Sequence, residues 1–135
     1  RDTYPLLCAG TAPRIPQDHT RASYFGGRRP ADGRIDWTQP ARTIFNLVRA
    51  VTHPYPGAFA TWQGRTLYVW EARPVAAAPA VGAAPGTLLS VRPTLRVRSG
   101  SDTLELSRVQ LDGEAELSGA AWAERHAVRH GMLFE

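Results

Sequence analysis

The stretch NLVRAVTHPYPGAF constrains the fold of this chain more than any other. Pro54 and Pro56 cannot continue a helix, and each pushes the residue before it toward extended backbone. Gly57 then permits a sharp bend. Upstream the pattern is helical: Ile44, Leu47, Val48 and Val51 recur at steps of three and four. That stripe predicts a helix from Gln39 to Thr52, with Thr38 as N-cap and Pro40 in the first turn. Arg42, Asn46, Arg49 and His53 fall along one polar side of it. Downstream the period becomes two, and AFATW and RTLYVWEA read as a hairpin turning at Gln63-Gly64. The chain must therefore pack one amphipathic helix against a sheet through a rigid corner. Tyr55, pinned between the prolines, has little freedom to lose and serves as either a plug or a stacking surface.

TLLSV, TLRVR and TLELSRVQL supply three further strands, with SGSD turning between the last two. PVAAAPAVGAAPG reads as a surface loop, and SGAAWAERHAVRHG as a short last helix with Gly131 past its end. Five short strands beside one good helix predict a mainly β, α+β fold. Its expected form is a small, OB-like, partly open antiparallel barrel preceded by a linker and the amphipathic helix. Residues 1–10 read as the last turns of a helix belonging to a preceding domain, with Gly10 in the left-handed closing position. Residues 11–37 form a long irregular linker. Within it SYFGGRRP has the aromatic, glycine and guanidinium content of a loop that wraps a polar ligand, and equally that of a surface turn. Residues 38–135 are the folded domain. The absence of an initiator Met suggests a piece of a longer polypeptide.

Charge adds less than it promises. The net charge is +4, and all sixteen basic residues are Arg. They are spread from Arg1 to Arg129 with one adjacent pair, Arg28-Arg29, so solvated surface and ion pairing explain them better than a phosphate track. No apolar run approaches the ~18 residues of a membrane span, and no signal peptide is evident. The single Cys8 suits a reducing cytoplasm. His19, His53, His126 and His130 are scattered, with no metal-ligand spacing, and the last two read as surface histidines. Asp32 and Asp36 flank a turn, where Asp commonly bonds local backbone. No nucleophile or acid–base pair emerges, so the residues alone describe an accessory or binding domain.

AGTAPRIPQD, FGGRRPADGRIDW, QPARTIFNLVRAVTHPYPGAF and LYVWEA together resemble the C-terminal region of folate-dependent formyltransferases. The resemblance is nearest to the type in bifunctional polymyxin-resistance proteins, which formylates UDP-4-amino-4-deoxy-L-arabinose in lipid A modification. Methionyl-tRNA formyltransferase is more distant. The likeness is specific from Ala9 to Ala72 and architectural beyond. It implies a preceding Rossmann-like domain that holds N10-formyltetrahydrofolate and the catalytic Asn, His and Asp, so this chain alone is expected to be inactive. It implies substrate contact by Arg28, with Phe25 and Tyr55 offering aromatic faces to uracil or sugar. Trp37, Asn46, Arg49 and Gly57 are expected to fix the linker and elbow, core packing being favoured for Trp37. The alternative is a tRNA-binding domain.

Overall fold

Helix α2 (Ala41–Val51) buries Ala41, Ile44, Val48 and Val51, a stripe at steps of three, four and three. The computed structural model describes residues 3–27, 29–76, 82–100 and 102–135. Leu47 from the expected stripe is only partly buried and packs beside Phe45 at its margin. The N-terminus of α2 differs from expectation. Thr38 does not cap it: the helix begins after Pro40, whose carbonyl receives Thr43 and Ile44, which leaves Thr38 two residues before the cap. The Thr38 hydroxyl and amide instead both donate to Asp36 Oδ1, at 2.6 and 2.9 Å. These bonds from Thr38 and Gln39 also hold the Asp36 carboxyl below its ordinary pKa.

After the corner, β1 (Ala58–Trp62) and β2 (Arg65–Val75) pair antiparallel. Gln63 and Gly64 between them have φ of +50° and +77°, as a two-residue primed turn requires. On β2, Leu67 and Val69 point to the core while Tyr68 and Trp70 share the other face. The strands β3 (Leu88–Ser90), β4 (Leu95–Arg98) and β5 (Thr103–Leu111) complete a sheet in the order β1-β2-β5-β4-β3. A two-residue strand β6 (Leu117–Ser118), too short to leave a sequence pattern, pairs with β5 and leads into α3 (Gly119–Arg125).

The antiparallel sheet curls into a half-barrel of OB-like form, and its two edges are laced by the C-terminal residues. Thr61 of β1 and Glu135 exchange both backbone bonds, at 2.8 and 3.0 Å. On the far edge, Leu88 donates to Met132 and Phe134 donates to Gly86. This lacing removes exposed edge from both β1 and β3. It also delivers Phe134 into the core, against Trp37, Trp62 and Trp122. The last helix is shorter than the sequence suggests. It stops at Arg125, and Ala127 turns left-handed at φ +50° as the chain swings into the lacing segment. His126 is consequently not a surface residue: its ring lies against Trp122 and 3.1 Å from Glu114.

The N-terminal helix α1 (Thr3–Cys8) ends as expected of its sequence. Gly10 has φ +69°, its amide reaches Leu7, and the Thr11 amide reaches Leu6, which is a Schellman closure. None of α1 is buried, and Tyr4, Leu6 and Leu7 face solvent. The burial that usually stabilises so short a helix is therefore absent within this chain. No described helix is long and apolar enough to cross a membrane.

Candidate functional site

The corner between α2 and β1 is built from close approaches that only particular residues permit. Thr52 leaves the helix in extended geometry and donates its hydroxyl to the Trp70 carbonyl at 2.9 Å. The His53 ring stacks on the Trp70 indole with centroids 3.8 Å apart and planes 16° apart. The Gly57 amide donates back to Val51 at 2.9 Å, which closes the loop. Gly57 has φ +90°, and a Cβ there would stand 2.7 Å from the Trp70 ring. Its neighbour across the corner, Gly33, is equally constrained, since a Cβ would come within 2.6 Å of the Gly57 carbonyl. Gly33 thus lets the linker reach the elbow backbone, and Gly57 lets the elbow lie against the Trp70 ring.

That contact forms one wall of a cleft of about 560 Å³ lined by Arg29, Asp32, Ala50, Val51, Tyr55 and Pro56. A smaller hollow of about 230 Å³ shares Pro30, Pro56 and Gly57 with the cleft and is faced by Phe59, Thr66 and Tyr68. Arg29 is held in place through its backbone: its amide donates to Asp32 Oδ2 at 2.7 Å, and the Asp32 amide donates to the Arg29 carbonyl at 2.9 Å. The Arg29 guanidinium has no acidic partner among the described residues. A guanidinium with no acidic partner among the described residues, a phenol and apolar proline walls suit a polar, anionic ligand. Asp32 is the one carboxylate among these lining residues, and its Oδ2 accepts from the Arg29 amide.

The residues singled out from sequence divide accordingly. Tyr55 lines the cleft and is 63% exposed. Arg28 lies outside the described residues. Phe25 stands 93% exposed and is not among the cleft residues. Trp37 is buried in the domain's own core, stacked on Phe134 at 5.6 Å. Asn46 accepts from Arg49 Nε at 3.1 Å on the outer side of α2, where Arg42 and Arg49 both lie over the Phe45 ring. Arg29 went unremarked as an individual residue, because its only distinguishing signal was its place in the Arg28-Arg29 pair before a proline.

Six arginines elsewhere among the described residues form ion pairs. Arg65 and Arg125 pair with Glu114, Arg73 and Arg96 with Glu105, Arg92 with Glu124, and Arg108 with Glu116. Burial alone would raise the Glu114 carboxyl, but hydrogen bonding from Arg65 and the charges of His126, Arg65 and Arg125 outweigh it and hold the group low.

The site is thus a cleft at the corner between a curled OB-like sheet and the helix seated on it. Residues 28–127 match the family described as "Formyl transferase, C-terminal domain", and the chain belongs to that family. Solved structures with the same fold include HypX from Aquifex aeolicus. One HypX variant superposes with a TM-score of 0.61 at 15% identity, over 93% of this chain and 22% of HypX. HypX in complex with tetrahydrofolic acid superposes with a TM-score of 0.61 at 17% identity, over 87% of this chain and 21% of HypX. The chain thus spans about a fifth of the length of those proteins.

Proposed function

We propose that this chain is the C-terminal domain of an N10-formyltetrahydrofolate-dependent N-formyltransferase. Its acceptor is an amino-sugar nucleotide of the UDP-4-amino-4-deoxy-L-arabinose type. The family match over residues 28–127 is the observation that carries the enzyme class. The solved complex of HypX with tetrahydrofolic acid supports a folate donor. In the intact enzyme residues 1–10 close the last helix of the catalytic domain and residues 11–37 run along its cleft. Residues 38–135 brace the acceptor side. The exposed Tyr4, Leu6 and Leu7 are the surface that this catalytic domain covers.

The chemistry belongs to that domain. The acceptor amine attacks the formyl carbon of the donor, and fixed donors stabilise the tetrahedral oxyanion. The bond from that carbon to N10 then breaks, and the proton lost by the amine ends on N10. The products are a formamide and tetrahydrofolate. What this domain contributes is grip: Arg28 and Arg29 on the diphosphate, and the Tyr55 and Phe25 rings on the sugar or base.

The test supplies the longer polypeptide, carrying this segment and its catalytic domain, with N10-formyltetrahydrofolate and two acceptors side by side. Formylation of the amino-sugar nucleotide alone is expected. Formylation of methionyl-tRNA alone overturns the reading.

A further inference from the structure

Trp70 occupies an irregular place in the sheet. Val69 pairs with Val109, Glu71 with Arg108 and Ala72 with Leu106, a local irregularity that leaves Trp70 on β2 and Ser107 on β5 without a ladder partner. Such irregularities can re-aim side chains and free backbone groups. The Trp70 carbonyl accepts the Thr52 hydroxyl, and the indole turns beneath the elbow between the rings of Tyr68 and His53. Its edge meets Gly57 so closely that no larger residue fits there. The indole in turn is fixed from behind. Trp70 Nε1 donates to Gln110 Oε1 at 3.0 Å, and Gln110 Nε2 donates to the Glu114 carbonyl at 2.7 Å.

From this chain of contacts we infer that Trp70 and Gln110 are positioning residues, which set the direction of the elbow and so place Tyr55 against the acceptor. The inference rests on the amino-sugar reading of the cleft. Neither residue lines the cleft itself. They act through His53, Thr52 and Gly57, whose contacts with Trp70 determine where the segment from His53 to Gly57 can lie.

The test has two readouts. In this chain, Gln110→Met keeps side-chain length but removes the acceptor for the indole N–H, while Trp70→Phe keeps a ring and removes the donor. Each should speed hydrogen exchange of the Tyr55 and Gly57 amides by about 5- to 10-fold, the change expected when one hydrogen bond is lost. Amides of β4 and β5 should exchange as before. In the longer enzyme, each variant should raise the amino-sugar nucleotide KM by a similar factor and leave the donor KM unchanged. Because both substitutions break one interaction, their combined effect should fall well short of the product.

Exchange that rises equally across the sheet, or both KM values rising together, would reduce the pair to a structural prop and overturn the proposal. Faster exchange confined to the elbow, in an enzyme that ignores the amino sugar, would sink the acceptor reading while upholding the hold on the elbow. The two failures are thus distinguishable.

Discussion

Arg73 reaches across from β2 to Glu105 on β5, with Nη2 and Nε 2.7 and 2.9 Å from the same carboxylate oxygen. Arg96 approaches the other oxygen from β4 on the opposite side, at 3.5 Å. Glu105 is only 4% exposed, so three neighbouring strands are joined through one buried carboxylate. Burial pushes its pKa up, yet the Arg73 hydrogen bond, the Arg73 and Arg96 charges and Thr94 together leave it below its ordinary value. A group depressed in the folded state contributes stability above its unfolded pKa and loses it as pH falls through the folded value. Arg73→Ala should therefore cost about 1–3 kcal/mol at neutral pH. The difference from the parent should shrink as acidification carries Glu105 below the ordinary glutamate range. Urea unfolding at stepped pH checks both parts, and a difference that does not vary with pH would contradict the assignment.

Gly57 and Gly64 make a paired prediction. Both hold positive φ, at +90° and +77°, so each resists a side chain through backbone strain. Gly64 faces open space, whereas a Cβ at Gly57 would strike the Trp70 ring. Gly64→Ala should cost about 1–2 kcal/mol, the left-handed penalty alone. Gly57→Ala should cost more, because His53 and the indole must separate to admit the methyl group. Thermal unfolding of the two variants decides it, and equal losses would mean that the corner is looser than its contacts indicate.

The corner and the hairpin were legible in the sequence because their signals are local. Pro54 and Pro56 act on their own neighbours, Gln63-Gly64 is a turn in itself, and the apolar spacing of α2 needs no partner to be seen. What was hidden depends on distant partners. Thr38 has the chemistry of an N-cap, but the helix starts two residues later, after Pro40, and Thr38 turns to Asp36. The apparent final helix ends early because residues 131–135 are drawn away to lace β1 to β3. At the candidate site, the pinning of Tyr55 was readable from its flanking prolines. Its meeting with Arg29 was not, because it depends on Gly33 touching Gly57 across the fold.

The lacing makes Phe134 a sensitive position despite standing next to the last residue of the chain. It is 2% exposed and touches Trp37, Trp62 and Trp122 at centroid distances of 5.5 to 6.0 Å. Phe134→Ala should cost about 3–5 kcal/mol, the usual loss for emptying a buried aromatic site. Leu133→Ala, at the neighbouring half-exposed position, should cost much less. The environment of three tryptophans changes with Phe134, so intrinsic fluorescence should shift for that variant and stay put for Leu133→Ala. Similar stability for the two variants would show that the C-terminal segment does not hold the half-barrel together.

Arg29 and Arg28 can be separated by charge removal in the longer enzyme. Arg29 faces the cleft with a guanidinium that no described acid neutralises, so it is available to an anionic acceptor. A charge-assisted hydrogen bond contributes about 1.5–3 kcal/mol, which corresponds to roughly 10- to 100-fold in affinity. Arg29→Ala should raise the amino-sugar nucleotide KM by that factor with little change in the folate KM, and Arg29→Lys should recover only part because it lacks the planar fork. Arg28→Ala is expected to act in the same direction. Tyr55→Phe should be mild if the ring stacks and severe if the phenol bonds the sugar, whereas Tyr55→Ala removes both contributions. Measured initial rates with each substrate varied in turn check the set. A folate KM that moves with the sugar KM would place these residues on the hinge between domains, and an unchanged sugar KM for Arg29→Ala would remove that arginine from the acceptor site.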